Sequence, residues 1–201
     1  MTHSEDRDRR PVVVGITGAS GSLIALHTIS ALLDNDVPVV ASASSAARIV
    51  WKQEMDESFG EALERWTDSG IFSYHASSEI AAPIASGTFS TRGMVLAPCS
   101  MATVAAVSHG LSDNLVRRAA DVTIKERRPL IIIPRESPLS VIHLENLTRL
   151  AALGATIIPP EPAFYLRHQT IEDVAEYAAQ RSLLALGVIS ELPVAMRYES
   201  S

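Results

Sequence analysis

A chain of 201 residues has room for one ordinary domain, since domains average roughly 150 residues. Its 47% hydrophobic and 20% charged residues exclude a disordered chain, and its net charge of −6 argues against a general nucleic-acid binder, whose affinity comes largely from phosphate neutralisation. The lone cysteine, Cys99, excludes an internal disulfide and implies a reducing, cytoplasmic setting, and the charged N-terminus without an apolar segment implies neither export nor membrane insertion.

In chain order, residues 1–10 read as a disordered tail, 11–190 as a single domain and 191–201 as a C-terminal tail. Short apolar runs at 12–16, 38–43, 93–97, 129–133 and 155–158 are rich in Val, Ile and Leu without polar alternation, as strands covered on both faces are. Helices are expected over 20–33, 45–55, 100–109, 113–125, 138–153 and 171–186. Ser137 and Pro138 suit the start of the fifth helix and Gly154 its end, while Thr170 with Glu172 and Asp173 suits the start of the sixth. Residues 56–90 read as a short helix, one strand near 71–74 and an irregular loop over 82–91. Alternating strands and helices predict an α/β fold, a Rossmann-like (flavodoxin-like) open parallel sheet with helices on both faces.

The turn from Gly15 to Gly21 follows the first strand and enters a helix, so its amides and the helix dipole suit an anion. Its spacing is GxxGxxG, however, rather than the dinucleotide GxGxxG, and the second strand ends in Ser42, Ser44 and Ser45 with no acidic residue for a ribose. Both points favour a mononucleotide phosphate over a dinucleotide; a tight turn that needs glycine only for packing is the competing reading. A second junction, Pro98-Cys99-Ser100-Met101-Ala102-Thr103, again places hydroxyls where a helix begins, although Ser100 alone reads first as a helix cap. Cys99 reads as a small buried hydrophobe. The basic cluster from Arg117 to Arg135 reads mostly as a solvated, paired face, whereas Arg135-Glu136 ends a buried strand, where an Arg can grip phosphate and a Glu can relay a proton. No zinc spacing or aspartate-rich magnesium motif is present, and no metal is expected.

The segments 112–130 (SDNLVRRAADVTIKERRPL), 134–139 (PRESPL), 143–146 (HLEN), 153–155 (LGA) and 159–165 (PPEPAFY) resemble the UbiX-type flavin prenyltransferases. These lie within a wider flavoprotein group that includes cysteine decarboxylases, but the decarboxylases' PxMNxxMW-type segment is absent. The resemblance implies transfer of a dimethylallyl group from dimethylallyl monophosphate to N5 and C6 of reduced FMN. The product, prenylated FMN, would go to a UbiD-type decarboxylase, and the assembly would be a homododecamer. It implies FMN contacts at Gly18, Ala19, Ser20, Ser45, Ser100, Met101, Ala102, Thr103 and Arg135, and prenyl-phosphate contacts at Tyr165, Arg181 and Lys125. Glu136, Lys125, Glu54 and Arg118 would be the catalytic group. Met101, Ala102 and Ile80 depart from commoner residues of the family and bear on pocket shape. The alternatives left open are an FMN-dependent oxidative decarboxylase and a non-catalytic FMN carrier.

Overall fold

A computed structural model describes residues 10–198; apart from Arg10, the expected N-terminal tail lies outside the described residues. Six strands form one parallel sheet: β1 Val12–Ile16, β2 Val39–Ala43, β3 Phe72–Ala76, β4 Gly93–Cys99, β5 Leu130–Pro134 and β6 Thr156–Ile157. Their order is β3-β2-β1-β4-β5-β6, so the winding reverses between β1 and β4, where open α/β sheets form a ligand crevice at the strands' carboxyl ends.

The period-two geometry of a strand sorts the core onto two faces. Val12, Val14 and Ile16 of β1 join Val95, Ala97, Ile131 and Ile133 beneath helices α1 (Ser22–Asp34), α2 (Ser45–Glu54), α3 (Phe59–Thr67) and α7 (Ile171–Ala185). Val13, Met94, Leu96, Leu130 and Ile132 point the other way, beneath α4 (Met101–Ser108), α5 (Leu115–Lys125) and α6 (Val141–Ala152). This is why the strands read as unbroken apolar runs. Fully burying a side chain such as Ile131 or Ile133 contributes about 1.5–3 kcal/mol. Trp51 anchors the first face, edge-on to Phe59 at 5.2 Å and to Trp66 at 5.8 Å.

Three helix starts differ from expectation, one of them α5, which begins at Leu115, behind its Asn114 cap, rather than at residue 113. The first helix begins at Ser22 rather than residue 20, because Gly21 sits at φ 117°, outside helical space. In α6 the cap is Ser140, not Ser137. Its hydroxyl accepts from His143 N at 3.3 Å and the His143 ring accepts from Ser140 N, so Ser137 and Pro138 lie outside the helix. The rest of the punctuation matches: Gly154 follows α6 at φ 93°, and Thr170 and Asp173 form a reciprocal cap on α7. Within 56–90, Ser58 and Glu61 cap α3, β3 occupies 72–76, and a 3₁₀ turn covers Pro83–Ala85. No helix among the described residues is long and apolar enough to cross a membrane.

Candidate active site

Four of the expected segments emerge at the carboxyl ends of adjacent strands. They are the 17–21 turn after β1, Ser44-Ser45 after β2, Ser100 after β4 and Arg135-Glu136 after β5. Two residues tie these loops together. Buried Thr17 donates from Oγ1 to Pro98 O at 2.9 Å and accepts from Ser100 N at 2.7 Å. Arg135 N donates to Cys99 O at 3.2 Å and Arg135 Nε to Ser20 O at 3.1 Å, linking β5 to both other loops. The sequence reading missed Thr17, whose partners lie more than eighty residues away.

Local chemistry explains how each loop is held. Ser100 caps α4, accepting from Thr103 N at 3.3 Å and donating to Thr103 Oγ1 at 3.2 Å. Met101 and Thr103 are buried and Ala102 is exposed. Ser44 rather than Ser45 caps α2, accepting from Ala47 N at 3.1 Å, and Ser45 stands exposed on the first turn. Gly18 fits so closely over this turn that a Cβ would lie 2.5 Å from Ala46 Cβ, so glycine here brings the β1 loop against the start of α2. Packing and anion binding are therefore compatible uses of the same glycine.

Glu54, from the end of α2, reaches back across the crevice flank. Its Oε2 accepts from Gly21 N at 2.9 Å and Ser22 N at 2.8 Å, placing a carboxylate on the positive end of α1. Burial alone would raise its pKa, but hydrogen bonds from the Ser20 hydroxyl and the Ser22 and Gly21 amides outweigh burial and hold it below the usual carboxylate value. Glu54 thus takes the very first amides of α1, and an anionic ligand is left the amides before them. Among the described residues, Gly18, Ala19 and Ser20 donate no backbone hydrogen bond to the protein, and the buried Ser42 hydroxyl at the end of β2 has no partner. These donors, with Arg135, fit the phosphate and polar edges of FMN. Beside them opens a cavity of about 640 Å³ lined by Ser20, Gly21, Glu54, Met55, Ile171 and Glu172.

Glu136 is exposed at the mouth, its Oε1 accepting from Ser137 N at 3.1 Å. Arg118 is fixed differently: Nε donates to Ala85 O at 3.1 Å and Nη1 to Asp121 at 2.7 Å. Most of the basic cluster is paired, as expected, with Arg117 on Asp113 at 2.8 Å and Arg128 pinning the Gly87 and Phe89 carbonyls at 2.7 and 2.8 Å.

Three expected residues do not join this crevice within one chain. Lys125 ends α5, which runs antiparallel to the strands, so it lies at the strand-entry edge beside Glu126 and Gly87. Arg181 lies ten residues into α7, about 15 Å along the helix from Ile171 at the cavity. Tyr165 is half-exposed in a 3₁₀ turn, and Arg181 donates from Nη1 at 3.2 Å to Oη of Tyr177, a residue that no motif marks in the sequence. Cys99 is fully buried and burial pushes its thiol pKa up, in keeping with a structural role.

The Flavoprotein family model matches residues 1–182. The flavin prenyltransferase LpdB of Lactiplantibacillus plantarum is 49% identical over 181 residues, covering 90% of this chain and 94% of that protein. The crystal structure of AnUbiX in complex with FMN and dimethylallyl pyrophosphate superposes with a TM-score of 0.87 at 35% identity, covering 96% of this chain and 98% of that one. A dodecameric FMN-dependent UbiX-like decarboxylase from Escherichia coli O157:H7 also gives 0.87, at 37% identity, covering 94% and 100%. With its crevice, its loop ties and this likeness over nearly its whole length, the chain belongs to the Flavoprotein family, on the flavin prenyltransferase branch.

Proposed function

We propose that the protein transfers a dimethylallyl group from dimethylallyl monophosphate to N5 and C6 of reduced FMN, giving prenylated FMN for a UbiD-type decarboxylase. The observation that carries this reading is the convergence of three loops, tied by Thr17 and Arg135, around free amides with Glu136 beside them. When bound, the flavin supplies the electron-rich atoms that take the prenyl group. Gly18, Ala19, Ser20, Ser45, the 100–103 turn and Arg135 would hold and orient it in a single domain over 11–190. Glu136 can accept a proton at a carboxylate oxygen and return it to the leaving phosphate, because its carboxylate is exposed beside the crevice. Breaking the allylic C–O bond leaves positive charge on carbon and negative charge on phosphate, so Lys125, Tyr165 and Arg181 would stabilise the leaving group.

Lys125, Tyr165 and Arg181 all lie away from the crevice of their own chain, so in this reading neighbouring copies supply them. Assembly is supported by apolar side chains held in water, among them Val141, Ile142, Phe164 and Ile171, each at least 66% exposed in the single chain. Likeness to the dodecameric relative supports a homododecamer, and the cytoplasm is the proposed compartment. Anaerobic incubation with reduced FMN and dimethylallyl monophosphate, followed by mass analysis of extracted flavin, should show a gain of one C5 unit; an unchanged flavin mass overturns the reading.

A further inference from the structure

Tyr177 and Arg181 are four residues apart on α7 and therefore share one face. Arg181 Nη1 donates to Tyr177 Oη at 3.2 Å, and its guanidinium carbon lies 5.9 Å from the Tyr177 ring centroid. The Tyr165 phenol lies near the same hydroxyl. The three anchors differ in freedom: Tyr177 is buried at 9% exposure, whereas Tyr165 is 52% exposed and Arg181 also faces solvent. The His168 ring lies tilted against Tyr177 at a centroid distance of 5.7 Å, and Tyr198 meets Tyr165 edge-on at 5.5 Å. The Tyr177 hydroxyl thus anchors Arg181 on the helix face that Tyr165 approaches.

We propose that Tyr177 is a positioning residue for the prenyl donor, its hydroxyl holding the Arg181 guanidinium beside Tyr165 as a preformed grip for an allylic monophosphate. The inference rests on the reading of Tyr165 and Arg181 as donor-phosphate contacts. A free arginine loses side-chain entropy when it closes on a ligand, and a tether formed beforehand removes part of that cost. The Tyr177 pKa is consistent with this: burial would raise it, but the nearby Tyr165 hydroxyl and the Arg181 guanidinium bring it below the ordinary phenol value, while that of Tyr165 is raised.

The test is Tyr177→Phe, which keeps the ring and its contact with His168 and deletes only the hydroxyl. The expected result is a rise of about tenfold in KM for dimethylallyl monophosphate, with kcat at saturating donor within about twofold and FMN affinity unchanged, the pattern of lost uniform binding. Arg181→Met removes the same bond from its other end, so the double variant with Tyr177→Phe should be less impaired than the two single losses multiplied. An unchanged donor KM in Tyr177→Phe, or fully multiplicative losses in the double variant, overturns the proposal. Arg181→Met separates it from the underlying reading. If that variant leaves the donor KM unaltered, the donor site itself is misassigned; if it raises KM while Tyr177→Phe does not, only the role of Tyr177 falls.

Discussion

The Thr17 hydroxyl accepts from Ser100 N at 2.7 Å while donating to Pro98 O, so one buried oxygen sets the spacing between the β1 and β4 loops. Replacing it by Val leaves the Ser100 amide without its partner, while Pro98 O keeps only Thr17 N at 3.2 Å, at about 1–3 kcal/mol. Thr17→Val should lower the thermal midpoint by several degrees, at about 2–4 °C per kcal/mol for a chain of this size, and weaken FMN binding. Thr17→Ser retains the oxygen and should recover most of both. Differential scanning calorimetry and flavin fluorescence titration read the two effects separately.

The Glu54 carboxylate on the Gly21 and Ser22 amides should make stability depend on pH. Its folded pKa lies below the unfolded value, so its contribution is complete above the unfolded pKa and is lost as pH falls through the folded one. The wild type should therefore exceed Glu54→Gln in thermal midpoint at neutral pH, with the gap closing as pH is taken below about 4.5, the ordinary glutamate value. A gap that widens on acidification contradicts the assignment.

Among the described residues Glu136 accepts a hydrogen bond only from Ser137 N, so its replacement leaves the loop ties of Thr17 and Arg135 in place. Glu136→Gln should keep FMN affinity and thermal midpoint while turnover falls about 10²–10⁴-fold, the usual range for loss of a proton-transfer group. Equilibrium flavin binding and the rate of C5 transfer, measured on one preparation, decide the matter.

Cys99 should be inert in the folded protein, since burial disfavours its thiolate and the charge of Arg117 offsets this only in part. Labelling by a thiol reagent should occur only on unfolding and track denaturant concentration. Fast stoichiometric labelling of the native protein would contradict the burial.

The sheet was the most legible part of the fold in the sequence, because strands buried on both faces carry continuous Val and Ile runs; β1 falls on its expected residues. Helix starts were harder. Ser137 suits the start of α6 by its place before Pro138, whereas the geometry of the helix selects Ser140. At the site, Ser100, Arg135 and Glu136 were legible because they sit at strand ends, where chain position fixes spatial position. Thr17 was not, since its role depends on a partner 83 residues away. Tyr177 was hidden among the alanines of an apolar helix face, although its spacing of four from Arg181 was a usable signal. The separation of Lys125 from the crevice follows from helix direction, which motif matching does not report.

That separation has a genetic consequence. Lys125 precedes β5 and Glu136 follows it, so the two lie at least roughly 17 Å apart along the strand at about 3.3 Å per residue. A protomer lacking one of them can lend the other to its neighbour. Mixing Lys125→Ala with Glu136→Gln under conditions that exchange protomers should thus regenerate a minority of intact centres from two dead preparations, whereas no revival would mean that each centre is built within a single polypeptide.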